Sequence, residues 1–244
     1  MHITILALGS RGDIQPYATL GQRLRTAGHR VCFVTTENFR ALIAAHGLDF
    51  YAIPGDAQAL VQAAGANMLA LLRAFGSLAR GPTPDVPPPV RETDVIINQL
   101  PLGLTGYDLA EKFNRPMILA AVMPLFPTRA FPLMGLPALP LPGYNRFTYA
   151  LAQQAGWQLF RPNISRWRRK LELPPAPRFG YFKQLGTARY PVLNGFSSHV
   201  VPRPADWNEH VHVTGYWFPE DEDWQPLGHH GFRPACGRER RSKG

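Results

Sequence analysis

HITILALGSRGDIQP, residues 2–16, combines a strand, a turn and the start of a helix. Its first seven residues form an almost continuous apolar and β-branched run, which is typical of a strand buried on both faces of a parallel sheet. Gly9 and Gly12 permit a tight turn, and Asp13 and Pro16 suit the first turn of a helix. This arrangement predicts a site for a negatively charged group, although Asp13 brings a carboxylate to the same place.

Apolar runs alternate with helical spacings along the rest of the chain. Further strands are predicted at residues 31–35, 48–53, 95–100, 117–122, 192–196 and 210–215. Helices are predicted at residues 17–27, 39–46, 56–79 and 104–113. The βαβαβ order over the first 54 residues or so predicts an α/β, Rossmann-like parallel sheet with helices on both faces. Ligands of such sheets bind at the carboxyl ends of the strands.

Two proline-rich segments interrupt this pattern. Residues 81–89 contain five prolines, which predicts an exposed connection without helix or interior strand. In residues 124–142 prolines alternate with Leu, Phe and Met, so the segment is too apolar for an ordinary solvated loop. We interpret it as a loop that lines an apolar pocket or lies on a membrane surface. The alternative is a loop that covers its own domain.

A stripe of apolar residues, spaced by threes and fours, then predicts a long helix. Its members are Phe147, Leu151, Trp157, Phe160, Ile164, Trp167 and Leu171. The opposite face carries Arg161, Arg166, Arg168 and Arg169. A basic amphipathic helix can lie in a membrane interface, but the preferred interpretation is a core stripe with a solvated charged face.

The composition limits the class of protein. Hydrophobic residues make up 45% of the 244 residues, which suffices for a core, and the formal charge is +9. Because the basic clusters at 161–170 and 228–244 are short, we expect solvated surface first, anionic membrane second, and no nucleic-acid partner. Cys32 and Cys236 indicate neither a disulfide scaffold nor a metal site, and Cys32 is expected in the core. The chain shows neither a basic leader nor a membrane-spanning run, so we expect a cytoplasmic protein.

Asp13 is the strongest candidate for chemistry. The turn lacks the dinucleotide fingerprint G-x-G-x-x-G and the lysine of a P-loop, which disfavours nicotinamide and ATP enzymes. Ser10, Arg11 and the amides of residues 9–12 can still hold a phosphate oxygen. Asp13 can serve as a general base, yet on spacing alone helix capping is favoured. His210 and His212 are the nearest approach to metal-ligand spacing.

The segment GSRGDIQPYATLGQRLRTAGHRVCFVTTENFRALIAAHGLDFYAIPGD, residues 9–56, resembles the GT-B glycosyltransferases that modify sterols, lipids, macrolides and glycopeptides. It is most similar to the sterol and lipid glucosyltransferase branch. The resemblance continues through Val95, LAAVMPLFPT (119–128) and ADWNEHVHVTGYWF (205–218), and covers about residues 1–225.

The resemblance implies an acceptor-binding domain of an inverting hexosyltransferase. Asp13 would be the general base for the acceptor hydroxyl, which ranks this role above capping. The donor diphosphate would approach Gly9, Ser10, Arg11 and Gly12. The apolar acceptor would lie against Met123, Phe126, Phe131, Met134 and Leu136. The donor would be a UDP-sugar co-substrate, and neither a metal nor a bound cofactor is expected.

The resemblance also implies domain boundaries. Residues 1–217 would form the acceptor domain, 218–227 the start of a linker, and 228–244 a basic disordered tail; we expect the donor-binding domain to be absent. Activity would then need a donor domain from another chain, with a possible peripheral contact to a membrane. The alternatives are a non-catalytic module that binds apolar ligands, and a non-functional fragment. In the fragment, Trp207, Tyr216, Trp217 and Trp224 would form an exposed former interface.

Overall fold

One parallel sheet organises the protein in the computed structural model, which describes residues 1–55, 85–100 and 105–219. Its seven strands are β1 (His2–Leu6), β2 (Arg30–Thr36), β3 (Asp49–Ile53), β4 (Val95–Gln99), β5 (Met117–Ala121), β6 (Val192–Asn194) and β7 (Val211–Val213). They lie in the order β3-β2-β1-β4-β5-β6-β7, and every neighbouring pair is parallel. The predicted strands and the α/β class are confirmed.

Helices connect the strands at most of the predicted positions. They are α1 (Arg11–Thr26), α2 (Arg40–Ala45), α3 (Pro88–Arg91), α4 (Thr105–Lys112) and α5 (Tyr144–Lys170). The predicted helix at 56–79 and the tail at 228–244 lie outside the described residues. The prediction that residues 81–89 exclude helix is wrong at α3. Prolines occupy its first turn, where their missing N–H groups would have no helical acceptor.

The side chains of the central strands alternate between two apolar cores. Ile3 and Ile5 of β1 pack in the cluster that includes Ile14 of α1 and Ile43 of α2. Leu6 packs in the other cluster, with residues of α4 and α5. This follows from the two-residue period of a strand, and it places helices on both faces of the sheet.

Cys32 departs from its predicted place in the core. It lies in β2 but is only half-buried, and it is a free cysteine. Desolvation and the charge of Asp49 raise the pKa of its thiol to about 11. The raised pKa lowers the fraction of thiolate at neutral pH and with it the reactivity of this thiol.

Helix α5 divides its predicted apolar stripe between core and surface. Trp157, Ile164 and Trp167 are buried against the sheet. Phe147 and Leu151 at the start of the helix are instead 61% and 58% exposed. The expectation of a continuous core stripe is therefore correct only for the second half of α5.

The prediction that Arg168 belongs to a solvated face is wrong. Its guanidinium is buried and donates 2.6 Å and 2.9 Å hydrogen bonds to Asp108 Oδ1 and Glu111 Oε2. Tyr181 also donates to Asp108 Oδ1, at 2.6 Å, and Arg168 Nε donates to the Pro174 carbonyl. This cluster fixes α5 to α4 and to the segment after α5.

Two tryptophans expected on an exposed interface are buried instead. Trp207 is packed edge-to-face on Phe126, with a centroid distance of 5.8 Å. Trp217 packs in the same way on Tyr17 of α1, at 5.4 Å. Tyr216 is 38% exposed, and Trp224 lies outside the described residues. The segment after β7 therefore completes the core against α1.

The buried ion cluster predicts a large effect of Arg168→Met. The substitution leaves the fully buried Asp108 carboxylate without its cationic partner, so we expect a loss of about 3–5 kcal/mol in the free energy of unfolding. Urea denaturation measures it. Arg169→Met, on the exposed neighbouring residue, should stay within about 0.5 kcal/mol of the wild type. Equal losses of stability in the two variants would contradict a buried ion cluster at Arg168.

Candidate functional site

The candidate site lies where the strand order of the sheet reverses. β1 and β4 are neighbours there, and their connections run in opposite directions, which opens a crevice at their carboxyl ends. The turn of residues 9–13 follows β1 at this crevice. Gln99, the buried last residue of β4, accepts a 2.6 Å hydrogen bond from the Leu8 amide through Oε1. This bond joins the two strand ends that flank the crevice.

Asp13 is held at this crevice by its own turn. Its Oδ2 accepts hydrogen bonds from the Ser10 amide at 2.9 Å and from Ser10 Oγ at 2.8 Å. Both bonds use Oδ2, and Oδ1 takes none from the described residues. One oxygen therefore caps α1, while the other is available to a ligand on this half-buried side chain.

Gly9 is the residue that makes room for this carboxylate. Its φ is +137°, and a Cβ built there would lie 2.5 Å from Asp13 Oδ2. Any other residue would combine a strained backbone with a clash. The glycine therefore leaves room for the carboxylate in the position where Ser10 holds it.

The other residues of the turn present polar groups at its rim. Ser10 is half-buried, while Arg11 and Gly12 are exposed at the first turn of α1. The Asp13 amide donates to the Ser10 carbonyl at 3.0 Å, whereas the amides of Arg11 and Gly12 precede the first acceptor of the helix and lie at the positive end of its dipole. Arg11 Nε donates to Gln15 Oε1 at 3.1 Å, which holds the guanidinium along α1.

Tyr17, in the second turn of α1, supports the turn that holds Asp13. The sequence analysis did not identify it as a site residue. Its hydroxyl donates to the Ala120 carbonyl of β5 at 2.8 Å, and its ring packs on Trp217. Burial, with a smaller effect of the Asp13 charge, raises the pKa of this hydroxyl, which therefore stays a donor. The sequence signal that could have identified Tyr17 is its position four residues after Asp13, which places both residues on one face of α1.

The predicted apolar loop follows β5 at the same edge of the sheet and is fixed by Asp206. Asp206 accepts from Thr128 Oγ1 at 2.6 Å and from the Arg129 amide at 2.9 Å. Partial burial alone would raise the pKa of Asp206, but these hydrogen bonds outweigh it and hold the pKa below its usual range. The start of the loop is thus pinned to the segment before β7.

The predicted acceptor residues lie in different surroundings along this loop. Phe126 lines a pocket of about 80 Å³ together with Tyr107, Trp157 and Tyr181. Met123 and Phe131 are half-buried, and Met134 and Leu136 are 57% and 46% exposed. The loop therefore places some of these side chains on the core and others on the surface.

Two further findings concern only residues 1–55, 85–100 and 105–219. Within these ranges no three His, Cys, Asp or Glu side chains are grouped as metal ligands, His210 and His212 included. No helix there is long and apolar enough to cross a membrane.

This sheet is the Rossmann-like N-terminal fold of GT-B glycosyltransferases. The calicheamicin glycosyltransferase CalG4 aligns with a TM-score of 0.55 at 16% identity, over 93% of this chain and 54% of that one. The glycosyltransferase of kitacinnamycin aligns with a TM-score of 0.56 at 16% identity, over 96% and 55%.

Residues 3–132 match the model of the glycosyltransferase family 28 N-terminal domain, and the chain belongs to that family. It is 35% identical to a sterol 3-beta-glucosyltransferase of Neurospora crassa, over 93% of this chain and 15% of the relative. It is 32% identical to the O-mycaminosyltylonolide 6-deoxyallosyltransferase of Streptomyces fradiae, over 93% and 56%. The chain thus spans only part of the length of these relatives.

The contact between Gly9 and Asp13 predicts non-additive substitutions. Gly9→Ala should destabilise the protein by more than Gly28→Ala, because Gly28 also has a positive φ (+87°) but no atom near its Cβ position. Asp13→Gly should relieve the clash, because it removes Oδ2, Cγ and also Cβ, which itself lies 2.8 Å from the Cβ position of residue 9 and would remain in Asp13→Ala. The double substitution should therefore cost at least about 1 kcal/mol less than the sum of the single ones. Additive losses in chemical denaturation would show that the carboxylate does not lie over Gly9.

The Asp206 bonds predict a local, acid-sensitive change in the loop. Asp206→Ala should speed amide hydrogen exchange at Arg129 relative to the wild type, whereas Glu209→Ala, on an exposed neighbour, should not. Because the pKa of Asp206 is lowered on folding, the ionised form stabilises the fold above the unfolded pKa of about 3.9. The difference in the free energy of unfolding between the wild type and Asp206→Ala should therefore be lost as the pH falls through the lowered pKa of Asp206. If the difference in the free energy of unfolding stayed the same at low pH, the ionised Asp206 carboxylate would not be what stabilises the loop.

Proposed function

We propose that this chain is the acceptor-binding part of an inverting glycosyltransferase that transfers a sugar from a UDP-sugar to the hydroxyl of a sterol or another apolar alcohol. The observation that carries the proposal is the Asp13 carboxylate, held at the crevice by Oδ2 with Oδ1 available. Membership of the glycosyltransferase family and the activities for which the relatives are named support the reaction class.

Asp13 acts in this proposal as the general base. The acceptor hydroxyl donates its proton to Oδ1 while its oxygen forms a bond to the anomeric carbon of the sugar. The bond from that carbon to the diphosphate oxygen breaks, and UDP leaves with the electron pair. Attack opposite the leaving group inverts the anomeric centre. A positioned carboxylate typically contributes about 10²–10⁴-fold to such a step.

The rim of the turn faces the leaving group in this proposal. Negative charge develops on the departing diphosphate, and the first-turn amides of α1 with Ser10 and Arg11 supply positive potential nearby. Because Gly9 and Gly12 carry no side chains, a phosphate can approach the backbone closely. The rest of the nucleotide would be bound by a donor domain, in the same polypeptide or in a second chain.

The apolar loop supports the choice of acceptor. A hydroxyl that reaches Asp13 brings the body of its molecule to the edge of the sheet where residues 123–143 leave β5. The 80 Å³ pocket at Phe126 is smaller than the roughly 300 Å³ that a drug-sized ligand needs, so a sterol would also use the half-exposed loop. A sterol dissolved in lipid would bring the domain to a membrane surface.

The test separates the base from the helix cap through Asp13→Asn. The asparagine oxygen can still accept the Ser10 amide, but it cannot take up a proton from the acceptor. The chain is mixed with UDP-glucose, a sterol and a separately expressed, proven donor domain of a sterol 3-beta-glucosyltransferase. We expect the wild type to form sterol glucoside. With Asp13→Asn, the rate of transfer should fall by roughly 10²-fold or more while the thermal stability stays unchanged.

Asp49→Asn is the matched control, since this aspartate is exposed on β3 and should leave transfer unchanged. Wild-type transfer rates in Asp13→Asn would contradict the role of the base. Absence of transfer by the wild type beside the proven donor domain would contradict the enzymatic proposal. Saturable sterol binding in that same mixture would then favour the non-catalytic binding module.

A further inference from the structure

The side-chain amide of Gln99, the last residue of β4, holds a hydrogen-bond donor that the fold does not use. The side chain is buried, only 1% exposed, and its Oε1 accepts the 2.6 Å bond from the Leu8 amide. Because a backbone N–H can only donate, the amide oxygen of Gln99 must face Leu8, which settles the orientation of the group. Nε2 therefore lies on the other side, and it donates to no acceptor within the part of the chain that the structure describes.

This donor lies on the same face of the sheet as Asp13. Among the described residues, Nε2 of Gln99 is not one of the fully buried polar atoms that lack a partner, so solvent reaches it at the end of β4, beside the crevice. Ile97, two residues earlier, packs in the cluster that contains Ile14 of α1. Since side chains alternate along a strand, Gln99 lies on the face that α1 covers. A buried amide whose donor meets solvent without a protein partner indicates a place for a ligand oxygen.

Gln99 and Asp13 contact neighbouring residues of one turn. The Gln99 amide bonds to Leu8, and the Asp13 carboxylate lies over Gly9, with Oδ2 2.5 Å from the Cβ position there. Consecutive Cα atoms are about 3.8 Å apart, so both side chains lie within reach of one small ligand group through hydrogen bonds of about 2.7–3.2 Å. Asp13 Oδ1 is an acceptor and Gln99 Nε2 is a donor, and a hydroxyl group, which both donates and accepts, matches that pair.

We propose that Gln99 Nε2 donates a hydrogen bond to the attacking oxygen of the acceptor and thereby selects alcohols over amines. The proposal rests on the proposed function, in which the hydroxyl proton passes to Asp13 Oδ1. A hydroxyl oxygen has two lone pairs: one forms the bond to the anomeric carbon while UDP leaves with its electron pair, and the other accepts from Gln99. A neutral amine has a single lone pair. When that pair attacks the carbon, an N–H of the amine faces the N–H groups of Gln99, and the two donors oppose each other.

Equilibrium binding of detergent-dispersed ligands tests this proposal without any sugar donor. Gln99→Glu keeps an oxygen for the Leu8 amide and replaces the donor by an acceptor. The variant should bind a sterol about tenfold more weakly, and the analogue with a charged amino group in place of the hydroxyl about tenfold more tightly. Its affinity for the deoxy analogue, which lacks the oxygen, should not change. Gln22→Glu adds the same charge at an exposed position of α1 and should change none of the three affinities.

The same ligands separate a contact with the acceptor from a purely structural role of Gln99. Equal losses of affinity for the sterol and for the deoxy analogue, or an unchanged affinity of Gln99→Glu for the sterol, would overturn the proposal.

The wild type supplies a readout that does not depend on the folding of a variant. The methyl ether of the sterol should bind about fivefold more tightly than the deoxy analogue, since its oxygen still accepts from Gln99. Equal binding of these two ligands, or no binding of the sterol at all, would also overturn the proposal. Sugar transfer beside the proven donor domain is measured separately, so transfer by the wild type would uphold the proposed function even if Gln99 failed this test.

Discussion

The close approach of the Asp13 carboxylate to the backbone of Gly9 is the constraint on which the site depends. It is possible because residue 9 has no Cβ and a φ of +137°. The same carboxylate oxygen closes the first turn of α1 through Ser10, so the helix start and the catalytic candidate are held by the same contacts. Capping and base catalysis are therefore compatible: Oδ2 performs the first, and Oδ1 is left for the second.

The sheet carries this turn to the crevice and keeps it rigid. Gln99 joins the ends of β1 and β4, and Tyr17 ties α1 to β5. Trp217, from the segment after β7, packs on Tyr17 and closes the core beneath the turn. The turn is thus supported by strands far apart in sequence, as the proposed role of Asp13 as a general base would require.

The regular part of the fold could be predicted from periodicity, and the long-range polar contacts could not. Buried strands such as β1 and β2 can be recognised from their apolar runs, and the turn can be recognised from the spacing of Gly9 and Gly12. Arg168 shares its helix with truly exposed arginines, and its partners Asp108 and Glu111 lie 60 and 57 residues away. Likewise, the sequence predicts an exposed Trp217, whereas in the structure it is buried against Tyr17 of α1. Sequence pattern identified Asp13, but only the structure shows that its two oxygens differ.

A crystal structure of the chain with a bound sterol tests the proposed role of Asp13 most directly. The sterol hydroxyl should lie within about 2.6–3.2 Å of Asp13 Oδ1, while Oδ2 keeps its bonds to Ser10. The body of the sterol should lie on the loop of residues 123–143. A sterol whose hydroxyl points away from Asp13, or an Asp13 that gives up the Ser10 bonds with no hydroxyl near it, would contradict the account.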